Sequence, residues 1–166
     1  MSVTVAKRTS PVVGRGRVEF DLEKPTWHRY DSAMIASSKL SRPLFNRVAL
    51  IGIGLIGSSL SHAMRRRGLA KSVVGHARTA ATRETALRLG LVSEAFEAPA
   101  EAAEDADLVI LCTPVGIGGT MVREMQAALK PGAILTDVGS VKGAVLRDVA
   151  PFVPKGVHFI PGHPIA

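Results

Sequence analysis

The sequence predicts an α/β fold built on a mainly parallel sheet, and three observations carry that prediction. Aliphatic residues dominate, while only 4% of the 166 residues are aromatic. That balance suits buried parallel strands beneath Ala-rich helices better than a β-sandwich. From Asn46 onward, short aliphatic runs alternate with segments of helical period, the pattern of successive βαβ units. Finally, one aliphatic run passes through three closely spaced glycines directly into such a helical segment. With 46% apolar residues, a chain of this length can bury the core of a single domain.

Residues 1–45 show no sustained period and mix Pro11, Gly14, Gly16 and Pro25 with scattered charges. They also hold the only Trp and Tyr, Trp27 and Tyr30, and are expected to form a largely unordered extension. The folded domain is expected over residues 46–166. Its strands are read at 47–53, 72–75, weakly at 95–96, then at 108–112, 133–137 and 157–160. Helices are read between them at 55–67, 79–89, 100–105, 118–129 and 142–150. Pro131 and Gly132 end the fourth helix and turn the chain into the next strand.

The lone cysteine, Cys112, lies inside an apolar run, so neither a disulfide framework nor a multi-cysteine metal site is expected. On residue type it is expected to be a small core residue in a reduced, cytoplasmic protein. Lys7 and Arg8 are followed by no apolar leader segment, and the uncharged stretch 48–61 is too short and glycine-rich to span a bilayer. No membrane association is expected. His62, His76 and His158 form no pair with metal-ligand spacing, so no metal is expected either.

The formal net charge of +7 raises the question of nucleic acid. Residues 1–46 hold eight Lys/Arg against four Asp/Glu, and the remainder holds thirteen against ten. The body is therefore only mildly basic. Its one dense cluster, Arg65, Arg66 and Arg67, closes a predicted helix, where cations offset the helix dipole. No nucleic-acid partner is expected.

The chemistry begins at Val48-Ala49-Leu50-Ile51-Gly52-Ile53-Gly54-Leu55-Ile56-Gly57, a strand running through G-x-G-x-x-G into a helix, with another strand about twenty residues on. Gly52 permits the tight turn, Gly54 lets backbone approach a pyrophosphate, and Gly57 lets the helix pack closely on the sheet. The N–H groups that open the helix, those of Leu55, Ile56 and Gly57, face the anion. This specifies a Rossmann-type, doubly wound dinucleotide-binding unit. At the end of the second strand Ala77 takes the position where a carboxylate would hold the ribose of NAD, and Arg78 follows it. That arrangement favours NADP over NAD, since a guanidinium neutralises a 2′-phosphate. Thr113 and Pro114 end the fourth strand, at the carboxyl edge where ligands sit in open α/β sheets, and are expected to line the cofactor.

Two further motifs follow the glycine turn, Asp137-Val138-Gly139-Ser140-Val141-Lys142 and Gly162-His163-Pro164-Ile165-Ala166. With GIGLIG, in this order, residues 46–166 resemble the prephenate and arogenate dehydrogenases of tyrosine biosynthesis. The resemblance implies oxidative decarboxylation of prephenate or arogenate with hydride transfer to NAD(P). It implies that His163 meets the substrate hydroxyl as hydrogen-bond acceptor or base, and that Ser140 orients substrate and nicotinamide. Imidazole suits a proton acceptor near neutral pH, and a hydroxyl donates and accepts at once. Read from position alone, Ser140 could instead cap the following helix, Asp137 could hold its loop through backbone N–H groups, and Lys142 could face solvent.

Members of that family form homodimers through a helical domain that also supplies cations for the substrate carboxylates. That domain is absent from these residues, so the chain is expected to be an incomplete enzyme that binds cofactor and turns over weakly alone, with an uncovered docking surface prone to association. Two other readings stay open at this point, another β-hydroxyacid-type dehydrogenase and a non-catalytic nucleotide-binding module.

Overall fold

The computed structural model describes residues 42–164. The extension expected at the N-terminus lies, over residues 1–41, outside the described residues. The described chain runs β1 (Phe45–Ile51), α1 (Leu55–Arg67), β2 (Ala70–His76), α2 (Ala80–Arg88), β3 (Glu94–Phe96), α3 (Pro99–Ala103) and β4 (Leu108–Leu111). It continues through α4 (Gly118–Met125), β5 (Ile134–Asp137), α5 (Lys142–Val149) and β6 (His158–Ile160). Short 3-10 turns occupy Val115–Ile117, Gln126–Ala128 and Ala150–Phe152.

The six strands form one sheet in the order β3-β2-β1-β4-β5-β6, and every neighbouring pair is parallel. The chain leaves β1 outward through β2 and β3, then returns to lay β4 against the other side of β1. Strand order thus reverses between β1 and β4, the switch point at which a doubly wound sheet opens its crevice. The expected α/β, Rossmann-type architecture is the observed one.

The aliphatic runs are continuous because the central strands are covered on both faces. Successive side chains of β1 point to opposite sides. Ala49 and Ile51 join a cluster with Val122 and Met125 of α4 and Val145 and Val149 of α5. Val48 and Leu50 join the other, with Met64 of α1 and Ala86 of α2. All four of these β1 residues are fully buried, each branched one contributing about 1.5–3 kcal/mol.

Local chemistry sets the ends of the elements. Gly52 takes φ +105, which L side chains rarely adopt, so β1 stops at Ile51 rather than at the expected residue 53. Helix α1 spans the predicted residues 55–67 and is closed by Gly68 in the left-handed region, with three arginines in its last turn. The helix expected over 118–129 is α-helical only to Met125 and tightens into the 3-10 turn that follows, a common way for a last turn to end. At the amino-terminal edge of the sheet, Asp107 accepts from the backbone N–H groups of Asn46 (2.6 Å) and Arg47 (3.2 Å) and from Lys130 (2.7 Å). The Lys130 ammonium, helped by those N–H groups, holds the Asp107 carboxyl below the usual carboxylate range.

The glycine bend is packed from below. A Cβ on Gly57 would stand 2.3 Å from the Gly52 carbonyl oxygen and 3.5 Å from Cβ of Cys112, so α1 meets the bend backbone to backbone. A Cβ on Gly52 would stand 2.8 Å from the Cys112 carbonyl oxygen. Cys112 is thus part of the floor beneath the turn, and burial pushes its thiol up to about 12.

Gly57→Ala is therefore expected to destabilise the domain by about 1–3 kcal/mol, as overpacking does. Gly54→Ala, whose Cβ would meet nothing within 4 Å, should leave stability within about 0.5 kcal/mol; denaturant midpoints of the two variants check this. Iodoacetamide at pH 8 is expected to leave Cys112 unmodified in the folded protein and to label it in denaturant, because the thiolate is the reactive form. Rapid labelling of the folded chain, read by mass spectrometry, contradicts the raised thiol.

Candidate functional site

Because all six strands are parallel, their carboxyl ends lie along one edge, and the residues singled out in the sequence fall along it in strand order. Arg78 follows β2, the bend Gly52–Gly57 follows β1, Thr113 and Pro114 follow β4, Ser140 follows β5, and His163 follows β6. Adjacent strands lie about 4.8 Å apart, so this row of five strand ends extends roughly 20 Å. That length accommodates an extended dinucleotide with a ring-sized substrate at one end.

The row is continuous in contact. The Gly52 backbone packs on Cys112 and on Cγ2 of Thr113. Gly139, beside Ser140, lies against Val115 of the turn after Pro114, a Cβ there standing 2.8 Å from the valine Cγ2. Gly162, beside His163, lies on β5, with its Cβ position 3.0 Å from the Asp137 carbonyl oxygen and 3.1 Å from the Thr136 hydroxyl oxygen. Ser140 and His163 are both exposed. Exposed apolar side chains, Val141 and Ile160, flank them on the same edge.

At the bend, the backbone offers what an anion needs. Gly54 is the N-cap of α1, no side chain caps the helix, and its first turn carries no acidic residue. Among the described residues, the leading N–H groups and the positive end of the helix dipole consequently have no anionic or hydroxyl partner. The space beside Gly54 is open, whereas Gly57 is hemmed in by Gly52. A cradle that a side chain would fill, next to an uncapped helix start, fits a pyrophosphate. The Thr113 hydroxyl is buried at the next strand end, with no hydrogen-bond partner among the described residues.

Arg78 is exposed at the β2–α2 turn, and Ala77 before it is buried. A residue that the sequence did not single out shapes this turn. Arg83 of α2 donates to the Ala77 carbonyl (2.8 Å), to the Arg78 carbonyl (3.0 Å) and to Glu97 (2.8 Å), so one guanidinium fixes the backbone that presents Arg78. His76, the last residue of β2, is buried, and burial holds its imidazole pKa below the ordinary value. Among the described residues no cluster of His, Cys, Asp or Glu gathers as a metal site requires, and no helix is long and apolar enough to cross a membrane.

At the other end of the edge, two positional readings are corrected. Ser140 is not the cap of α5: the N-cap is Val141, no side chain caps that helix, and Ser140 lies one residue before it. Lys142 does not simply face solvent, because its ammonium pairs with Asp137 and donates to the Gly162 carbonyl. The reading of Asp137 as a holder of backbone N–H groups agrees with the structure. Its carboxylate accepts from Gly139 (2.8 Å) and also from Gly162 (3.2 Å), which the sequence could not pair with it. A small crevice lined by Thr113, Pro114, Val115, Asp137 and Gly139 lies between these turns. The larger groove, about 360 Å³ between α1 and α2, contains none of the residues singled out for the cofactor.

Known proteins share this fold. Residues 60–166 match the prephenate dehydrogenase nucleotide-binding domain. The chain is 34% identical over 123 residues to a cyclohexadienyl dehydrogenase of Zymomonas mobilis, covering 74% of this chain and 42% of that protein. It is similar to the crystal structure of the Aquifex aeolicus prephenate dehydrogenase in complex with hydroxyphenyl propionate and NAD+, at a TM-score of 0.65 and 28% identity over 77% of this chain and 43% of that one. The Synechocystis arogenate dehydrogenase structure is similar at a TM-score of 0.63 and 35% identity, over 71% and 40% of the two chains. The chain spans about two fifths of the length of these relatives. On that match over residues 60–166, this chain belongs to the prephenate dehydrogenase family, as its nucleotide-binding part.

Proposed function

We propose that this chain binds NADP, or less tightly NAD, along the carboxyl edge of its sheet and supplies the hydride-transfer half of a prephenate or arogenate dehydrogenase. The observation that carries the reading is the order along the edge: a cation after β2, a bare helix start after β1, and a hydroxyl and an imidazole after β5 and β6. An extended dinucleotide with its 2′-phosphate at Arg78 and its pyrophosphate at Gly54 to Gly57 would bring the nicotinamide toward Ser140 and His163. The names of the related proteins agree, including one whose structure holds NAD+ and a hydroxyphenyl compound.

When bound, the nicotinamide supplies the hydride acceptor. The chain's own residues do the rest of the work on the substrate. Ser140, exposed on the loop held by Asp137, hydrogen-bonds the substrate and fixes which face of the ring meets the cofactor. His163 accepts a hydrogen bond from the ring hydroxyl and holds its proton while the carboxylate departs as carbon dioxide and the ring becomes aromatic. Placing these groups on loops anchored to adjacent strands holds them in reacting geometry. Val141 and Ile160 are apolar surface suited to the further protein that the longer relatives carry.

Three measurements test the reading. Arg78→Ala should weaken NADPH binding about tenfold or more, the loss expected for a charge-assisted pair, while leaving NADH binding within twofold. Equal effects on both cofactors contradict the assignment of Arg78. Gly54→Ala should weaken both cofactors without lowering the denaturant midpoint. His163→Asn should lower kcat about a hundredfold or more with cofactor affinity retained, in the chain alone or fused to the C-terminal remainder of the Zymomonas mobilis enzyme. Unchanged turnover there removes His163 from the reaction.

A further inference from the structure

The two loops that carry Ser140 and His163 are not held separately. They share one carboxylate, Asp137, whose side chain is only 4% exposed. One of its oxygens accepts from the Gly139 N–H and from Lys142, and the other accepts from the Gly162 N–H. Lys142 closes the ring by donating to the Gly162 carbonyl. Residue 139 precedes Ser140, and residue 162 precedes His163. Gly162 is therefore tied to one ion pair through both its polar groups, its N–H to the buried anion and its carbonyl to the half-buried cation.

We propose that Asp137 and Lys142 are positioning residues, a clamp that sets the spacing and orientation of Ser140 relative to His163. The physical argument is one of cost and alternatives. A carboxylate this buried must be paired and hydrogen-bonded, and among the described residues its partners are the two loops and Lys142 at the start of α5. A Lys serves because a compact ammonium with three donors can reach a carboxylate and a carbonyl together. β6 is a strand of three residues at the edge of the sheet, and Ile160 is its last. Beyond it the backbone of the histidine loop has lost its ladder, so the clamp replaces strand pairing as what holds His163. Loss of the clamp lets the imidazole drift, and displacements of about an ångström can cost catalysis a hundredfold. The cofactor seat at the glycine bend stands on other contacts. It rests on the reading of Ser140 and His163 as reacting groups, and the experiment separates the two.

The test uses Lys142→Met and Lys142→Arg, each alone and with His163→Asn. In Lys142→Met the Gly162 amide should exchange with deuterium about tenfold faster or more, with exchange at Gly57 and affinity for NADPH within twofold of the parent. In the chain, or its fusion to the Zymomonas mobilis remainder, kcat should fall about tenfold or more with KM within threefold. Lys142→Arg, which keeps charge and donors, should recover at least half of the lost protection. In the His163→Asn background the Lys142→Met change should cost less than twofold, since a residue acting through another has nothing left to act on. Unchanged exchange at Gly162 in Lys142→Met overturns the clamp, and so does an undiminished cost in the His163→Asn background. Normal turnover in His163→Asn with faster Gly162 exchange in Lys142→Met would keep the clamp as a loop anchor and overturn its catalytic purpose together with the proposed function.

Discussion

The close approach of α1 to the bend after β1 is the contact on which the site depends. Backbone meets backbone there, with Gly57 over the Gly52 carbonyl and Cys112 beneath both. No side chain can be inserted, and none can be traded for another. That packing aims the first turn of α1 across the switch point between β1 and β4, where no strand covers the crevice. Every other group on the edge takes its position from the parallel sheet that this contact joins to the helix.

The sheet itself is tied at both ends by carboxylates that have different tasks. Asp107 at the amino edge links the starts of β1 and β4 with Lys130, away from the crevice. Its side chain and that of Lys130 are partly exposed, so water screens the pair and its contribution is that of an ordinary surface tie. Asp137 at the carboxyl edge is almost entirely buried and joins loops rather than strands. A buried pair contributes little net stability, because desolvation offsets attraction, yet losing one partner is costly. Such a pair enforces geometry more than it stabilises the fold.

What was legible in the sequence follows from the range of each signal. Helix α1 was readable to the residue because its start, its arginine-rich end and its closing glycine are all local. The central strands are readable because burial on both faces leaves uninterrupted aliphatic runs, and even the weak strand at Ala95 and Phe96 pairs with β2. The end of β1 was misplaced by two residues, since hydrophobicity continues through Ile53 while the positive φ of Gly52 breaks the ladder. The positions of Ser140, His163 and Arg78 along the edge came from motif order and strand direction. Arg83 and the partners of Lys142 did not come through, because their contacts depend on rotamers and on loops brought together by β5 and β6 pairing. Lys142 and Gly162 are twenty residues apart, and no periodicity relates them.

The edge treats its two kinds of polar group in opposite ways, and that contrast explains its design. Helix α2 begins with Thr79, whose hydroxyl accepts from the Thr82 N–H, and α3 carries Glu101 in its first turn. Helix α1, like α4 and α5, has neither a side-chain cap nor an acid in its first turn, although a capping side chain would add about 1 kcal/mol. An added Ser or Asp there would satisfy the N–H groups and repel or displace an incoming phosphate. The carboxylate of Asp137, by contrast, is saturated with protein donors and has little left to offer a ligand. A group left unsatisfied is available for binding, whereas a group fully satisfied is available only for holding. On that criterion the helix start, with the exposed Ser140 and His163, belongs to the binding part of the proposed function, and the Asp137 pair to the holding part.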